Sequence, residues 1–143
     1  MDLLIDSNVI LDYILEREPF FNMAEKVLNL SDNHNNITLN VSASAVTDIN
    51  YIAYRNLKNQ DLVYNLVKKV LSMVKIAAVS EKEIIDAINL NWKDFEDAVQ
   101  YSVAASNDFD GIVTRNMQGF DNDAVKIFTP EEICQYVEEN LKE

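Results

Sequence analysis

Five short apolar stretches alternate along this chain with longer segments of helical periodicity, and this alternation limits the fold more than any other feature. The stretches are β-strand candidates, and the segments between them carry apolar residues spaced three and four apart. Strands separated by helices favour a parallel sheet covered on both faces. The sequence therefore predicts an α/β fold, a three-layer α/β/α arrangement around a central, mainly parallel sheet of four to five strands. The strand candidates are residues 3–5, 37–41, 75–79, 111–114 and 125–128.

The length and composition fit a single helix-rich domain spanning residues 1–143. The chain is 48% hydrophobic, which is enough for a sizeable core, and it contains only 2 Gly and 2 Pro. Pro19 is expected in the first turn of the second helix, since proline is favoured there. The polar run at residues 31–36 predicts a loop.

Several classes of protein are disfavoured by what the sequence lacks. No apolar run approaches the roughly 18 to 20 residues that span a membrane. The first residues carry no basic segment typical of a secretion signal. Cys134 is the only cysteine and His34 the only histidine, which excludes an internal disulfide and a Cys/His zinc site. A cytoplasmic protein without membrane contact is therefore expected.

Two acids, Asp6 and Asp48, occupy positions that suggest chemistry. Asp6 directly follows the first strand, and ligands of parallel sheets bind beyond the carboxyl ends of the strands. The alternative is that Asp6 caps the helix that follows, although Ser7 and Asn8 could also cap it. Asp48 lies at the edge of an apolar helix stripe, where an ionised carboxylate needs a partner or a cation, unless it turns out to solvent.

Further candidates lie at the start of a later helix and after the fourth strand. Asp94 can cap the helix that ends near residue 106, and the helix dipole alone can explain Glu96. Asp97 lies on the flank of an apolar face and can point inward. After the fourth strand, Thr and Asn offer neutral oxygens and Arg could meet a phosphate, although a plain strand-end turn is an alternative. These three residues are Thr114, Arg115 and Asn116.

Carboxylates that converge in one crevice repel each other unless a divalent cation is present. Oxygen ligands without His or Cys select Mg²⁺ or Mn²⁺, which can activate a water and stabilise charge on a phosphodiester. The chain has no glycine-rich phosphate loop, so a P-loop or Rossmann enzyme is not indicated. With one histidine, in a predicted loop, a Ser-His-Asp triad is not indicated either.

Four segments in this order resemble the motifs of the PIN-domain family. Residues 4–12 resemble the first motif, with its aspartate at Asp6 and an Asn two residues later. Residues 42–48 resemble the second, ending at Asp48, and residues 94–98 the third, with Asp97 at the metal-binding position. Residues 112–116 resemble the fourth, and the resemblance continues to the ending at residues 129–131.

The resemblance implies a Mg²⁺- or Mn²⁺-dependent endonuclease that cleaves single-stranded RNA. Many small members are VapC-like toxins, which form homodimers and are blocked by an antitoxin protein. Carried over to this chain, the catalytic metal ligands are Asp6, Asp48 and Asp97. The resemblance assigns orienting roles to Asn8, Asp94 and Asn116, and places Thr114 and Arg115 beside the phosphate.

Two positions depart from the family pattern. The second motif more often carries Glu, and Asp48 is one methylene shorter, so its contact with a metal could run through water. The fourth motif often carries Asp, and Asn116 lacks that charge, which favours one metal over two.

Other functions compete with the nuclease. A catalytically inactive PIN-fold module that binds RNA or assembles with other proteins would fit Asn116 and the net charge of −12. The run containing Arg55, Lys58, Lys68, Lys69 and Lys75 can form one basic patch or a solvated helix face. A haloacid-type phosphatase needs an acid where Asn8 stands, and a phosphotransfer receiver needs an Asp where Ser80 stands.

Overall fold

The computed structural model describes residues 1–120 and 124–141. Its strands are β1 (Asp2–Ile5), β2 (Thr38–Ser42), β3 (Lys75–Ala77), β4 (Gly111–Val113) and β5 (Lys126–Phe128). The helices of the first half are α1 (Ser7–Ile14), α2 (Phe21–Leu28), α3 (Leu30–Asn33), α4 (Ala43–Leu57) and α5 (Gln60–Leu71). Those of the second half are α6 (Glu81–Leu90), α7 (Phe95–Ser106) and α8 (Pro130–Asn140), with a 3₁₀ turn at Met117–Gly119.

The five strands form one parallel sheet in the order β3-β2-β1-β4-β5. From β1 the chain passes to β2 and then β3 on one side, and afterwards to β4 and β5 on the other. The direction of winding therefore reverses between β1 and β4, where Ile5 pairs with Val113. In open parallel sheets such a reversal leaves a crevice beyond the carboxyl ends of the two strands.

Alternate side chains of the sheet enter two separate cores. On one face, Leu3 and Ile5 pack with the buried residues of α1, α2, α4, α5 and α8. On the other face, Leu4 and Ile112 pack with those of α6 and α7. This period of two is the geometry of a strand buried on both sides. The predicted three-layer α/β/α fold around a mainly parallel sheet of four to five strands is confirmed, and the sheet has five strands, all parallel.

Two local predictions were wrong. The loop expected at residues 31–36 begins with the single helical turn of α3, and the His34 N–H bonds the carbonyl of Leu30. Pro19 does not open α2, which begins at Phe21. In residues 1–120 and 124–141, no helix is both long and apolar enough to cross a membrane.

Candidate active site

The carboxyl ends of β1 and β4 bring Asp6 and Thr114 together at the point where the winding of the sheet reverses. The N–H of Asp6 donates to the carbonyl of Val113 at 2.9 Å, which extends the pairing of the two strands by one residue. Thr114 is fully buried and donates from Oγ1 to Oδ2 of Asp6 at 2.7 Å. The crevice expected from the topology therefore begins at these two side chains.

The carboxylate of Asp6 is held by donors on both oxygens, although only 5% of the residue is exposed. Oδ1 accepts from the backbone N–H of Ser7 and from Nε2 of Gln100, each at 2.7 Å. Oδ2 accepts from Thr114 and, at 3.3 Å, from Nδ2 of Asn8. Asp6 is also the N-cap of α1, so the capping role considered from the sequence is present beside the bonds to distant residues.

Gln100 was not singled out from the sequence, yet it is fully buried and bonds Asp6 directly. Its Oε1 has no hydrogen-bond partner in the described part of the chain. A buried amide with one unsatisfied end is costly, and the bond from its other end to the Asp6 carboxylate offsets part of that cost. The available signal was a lone amide three residues after Asp97, within a stretch (residues 98–105) whose only other small polar residue is Ser102.

Glu96 faces the same crevice, contrary to the sequence interpretation that assigned it only to the helix dipole. Its Oε1 accepts from Oγ of Ser7 at 3.3 Å. Burial raises its pKa, and the negative charges of Asp48 and then Asp6 raise it further. Glu96 is therefore close enough to feel the charges of both Asp48 on α4 and Asp6 at the end of β1.

Asp97 lies in this field as well, next to Glu96 in the first turn of α7. Burial raises the pKa of Asp97 to about 7, with further contributions from the charges of Asp94, Asp6 and Glu96. Its Oδ2 lies against Gly119, where an added Cβ would collide with it. Asp94 is the N-cap of α7, and its Oδ1 accepts from the Asp97 N–H at 3.1 Å.

No cation neutralises these acids in residues 1–120 and 124–141. The three ion pairs there join Arg17 and Arg115 to Asp12, and Lys82 to Asp86. The side-chain oxygens in the crevice are hard ligands of the kind Mg²⁺ and Mn²⁺ prefer, and a divalent charge would relieve the repulsion that adds to burial in raising the pKa of Asp97. The residues fit such an ion in chemistry and charge.

The candidate ligands do not form a ready-made metal-binding group, however. Within the same described ranges, no three His, Cys, Asp or Glu side chains are already gathered as a group that could hold a metal. Mg²⁺ typically takes only one or two carboxylates and keeps several waters. An ion in this crevice would therefore be held by few direct protein contacts.

The structure brings the predicted site residues together to different degrees. Asp6, Asn8 and Thr114 share direct hydrogen bonds. Asp48 is exposed on α4, and its connection with the cluster is that its charge acts on Glu96. Asn116 approaches by its backbone, whose N–H donates to Oγ1 of Thr114 at 3.1 Å, while its side chain is exposed.

Arg115 does not project freely into the crevice, as a phosphate contact would require. Its Nε and Nη2 donate to the two carboxylate oxygens of Asp12 at 2.6 and 3.3 Å. Asp12 is only 1% exposed, so its charge needs this partner, and the guanidinium also lies 4.0 Å from the ring centre of Phe20. The arrangement indicates that Arg115 anchors the loop after β4, and its backbone N–H bonds Oδ1 of Asn8 at 3.4 Å.

The family model described as PIN domain matches residues 2–118, a range that contains every residue of the crevice. The chain belongs to the PIN-domain family. It is 26% identical over 136 residues to Ribonuclease VapC1 of Aquifex aeolicus (strain VF5), covering 92% of each chain. The resemblance noted in the sequence is therefore confirmed.

Solved structures agree with this PIN fold. VapBC-1 from nontypeable Haemophilus influenzae superposes with a TM-score of 0.70 at 16% identity, covering 92% of this chain and 99% of the other. A toxin-antitoxin complex from Klebsiella pneumoniae gives a TM-score of 0.66 at 18% identity, with 90% and 97% covered. At these identities the likeness establishes the fold.

Proposed function

We propose that this PIN domain is a metal-dependent endoribonuclease that cleaves single-stranded RNA and serves as the toxin of a toxin–antitoxin pair. One observation carries the proposal most directly. The carboxylates of Asp6, Glu96 and Asp97 lie near enough at the switch point of the sheet for the charges of Asp6 and Glu96 to act on Asp97. None of the three takes part in an ion pair of the described residues. A site of this charge is suited to a divalent cation and, through it, to a phosphodiester.

Asp6, Glu96 and Asp97 are the residues we propose to hold the cation, with Asp48 completing the site through water. A bound Mg²⁺ or Mn²⁺ would supply a water of lowered pKa and neutralise charge that develops on the phosphate. The chain's own contribution is to fix the ligands. Gln100 and Thr114 hold one oxygen each of Asp6, and the Ser7 hydroxyl holds Glu96.

RNA cleavage by the Asp6→Asn variant tests the proposal. The asparagine keeps the shape of the side chain, and its oxygen can still accept from Ser7 and Gln100. The new amide nitrogen faces the Thr114 hydroxyl and the Asn8 amide, which both donate to Oδ2 in the unmodified protein, so circular dichroism and thermal melting are recorded to verify the fold. We expect a folded protein that no longer cleaves a labelled single-stranded RNA in Mg²⁺ or Mn²⁺, and EDTA should abolish cleavage by the unmodified protein.

Asp61→Asn is the matched control, because Asp61 is an exposed acid in the first turn of α5. It should cleave RNA at the unmodified rate. Cleavage that survives both Asp6→Asn and EDTA would overturn the proposal, since neither the crevice nor a metal would then be needed.

The toxin role is supported by the likeness to the toxin-antitoxin complex from Klebsiella pneumoniae and to VapBC-1. Expression in a bacterial host should arrest growth, and Asp6→Asn should not. We expect a neighbouring open reading frame to encode the antitoxin, and its co-expression should relieve the arrest. Homodimer formation and a cytoplasmic location stay predictions. Light scattering, which measures molar mass, tests the first.

An inactive PIN module that binds RNA or assembles with a protein is the second candidate. It is favoured by the absence of a ready metal-binding group among the described residues and by the uncharged Asn116. Binding of RNA without cleavage in any divalent metal, unchanged by Asp6→Asn, would support this candidate over the nuclease.

A further inference from the structure

One face of α4 leads away from the acidic crevice and carries an exposed tyrosine and an arginine, and a lysine caps the end of the helix. These residues are Tyr51, Arg55 and the C-cap Lys58, here called the α4 stripe, and all three are exposed. Residues three, four and seven positions apart share a helix face, so Tyr51 and Arg55 lie on the same side of α4 as Asp48. With a rise of 1.5 Å per residue, Arg55 lies about 10 Å along the helix from Asp48.

Two side chains of the α4 stripe, Tyr51 and Arg55, contact each other on the exposed side of the helix. Tyr51 is 60% exposed, and the guanidinium carbon of Arg55 lies 5.8 Å from its ring centre. Burial of its neighbours Ala45, Ile49 and Ala53 on the opposite face fixes which side of α4 turns outward. The tyrosine ring is therefore held as an open platform beside a positive charge.

The charge of this segment runs against that of the whole chain. The net charge is −12, yet residues 49–60 contain Arg55 and Lys58 and no acid. An anionic polymer approaching the crevice would be repelled by most of this surface and attracted here. A positive groove next to an aromatic platform is the combination that binds single strands, because each base offers a π face and each linkage a phosphate.

We propose that the α4 stripe binds single-stranded RNA next to the phosphate that is cleaved, with a base stacked on Tyr51 and phosphates paired with Arg55 and Lys58. The proposal rests on the proposed function for its substrate class. It commits to RNA and not to a protein partner because the exposed ring of Tyr51 lies beside a cation in a segment without acids, and Tyr54, which is 44% exposed, adds a second ring to this face.

Lys69 and Lys75 do not extend the stripe into the single patch considered from the sequence. Lys69 lies 5.7 Å from the ring centre of Tyr13, beside a groove that α5 shares with α1 and α2. Lys75 opens the edge strand β3 opposite Asn40. Of the five cations, Arg55 and Lys58 are the two that lie on α4 and its C-cap, the element that carries Asp48.

RNA binding measured in the Asp6→Asn background tests the α4 stripe without interference from cleavage. Fluorescence anisotropy with a labelled oligoribonucleotide should show an affinity loss of about tenfold for Tyr51→Leu and little loss for Tyr51→Phe, which keeps the ring. Arg55→Gln should reduce the slope of log affinity against log salt by about one. Lys82→Gln, on the opposite side of the sheet, is the matched control and should leave both quantities unchanged.

Cleavage by the unmodified protein is measured in parallel, so that the two proposals fail separately. Equal RNA affinity in all α4 variants would overturn the stripe, whether or not RNA is cleaved. Variants that convert a dimer into a monomer while RNA affinity is kept would also overturn it, and assign the surface to a second copy of the chain. Loss of binding in the α4 variants supports the stripe even when the protein proves unable to cleave.

Discussion

Gln100 donates a 2.7 Å hydrogen bond to Oδ1 of Asp6, a residue 94 positions earlier in the chain. The bond joins the middle of α7 to the end of β1 across the switch point of the sheet. It fixes one oxygen of the carboxylate that the PIN resemblance assigns to metal binding. Residues that orient metal ligands typically affect metal affinity or activity by 10- to 100-fold, although they do not touch the metal.

Gln100→Met should therefore lower RNA cleavage and Mn²⁺ affinity by about 10- to 100-fold. Methionine matches glutamine in length and fills the same space, so the free energy of unfolding should change by no more than about 1 kcal/mol. Calorimetric Mn²⁺ titration and urea unfolding measure the two effects. Gln135→Met, at an exposed position of α8, is the control, and a Mn²⁺ affinity equal in both variants would show that Gln100 does not position Asp6.

Glu96→Gln should weaken Mn²⁺ binding by about tenfold or more, because Glu96 shares the field of Asp6 and Asp48. The same change should raise the thermal stability of the metal-free protein at neutral pH, since it removes a half-buried carboxylate repelled by its neighbours. Glu131→Gln, in the first turn of α8, serves as a matched helix-end control. Small and equal effects in the two variants would mean that Glu96 only interacts with the helix dipole and does not contribute to metal binding.

Asp97 should make the stability of the metal-free protein depend on pH. Its folded pKa is raised from 3.8 to about 7, so the folded state binds a proton more tightly than the unfolded chain. The stability this supplies is complete below the unfolded pKa and is lost as pH rises from about 4 to about 7. In EDTA, Asp97→Asn should melt at a temperature that falls less over this range, and parallel curves for the two proteins would contradict the raised pKa.

Arg115→Met should reduce the free energy of unfolding by about 3 kcal/mol, because Asp12 would keep a buried charge with only Arg17 at 3.7 Å. Adding Asp12→Asn should recover part of the loss. Urea unfolding measures the loss and its recovery, provided that the slope of the unfolding free energy against urea concentration is the same in all variants. An unchanged stability together with weaker RNA binding would instead support the phosphate contact expected from the sequence.

The fold and the position of the crevice could be predicted because both follow from local pattern. Leu3, Leu4 and Ile5 form a short apolar strand, and an acid directly after a parallel strand must lie at its carboxyl edge. Strand alternation then sends Leu3 and Ile5 to one core and Leu4 to the other. None of this requires knowledge of distant contacts.

The partners of individual side chains could not be predicted, because they depend on contacts between distant parts of the chain. Arg115 meets Asp12 across 103 residues, and no local pattern distinguishes an arginine that reaches a phosphate from one that reaches a buried aspartate. Glu96 was assigned to the helix dipole because position alone explains a first-turn acid. Its inward role depends on Ser7, which comes near only because α7 packs against β1, the strand that precedes Ser7.

A crystal soaked in Mn²⁺, with anomalous diffraction collected at the manganese edge, tests the central claim most directly. We expect an anomalous peak in the crevice within coordinating distance of Asp6 and at least one of Glu96 and Asp97, and its absence in crystals of Asp6→Asn. A crevice without manganese in the unmodified protein, or a peak that remains after Asp6→Asn, would contradict the account.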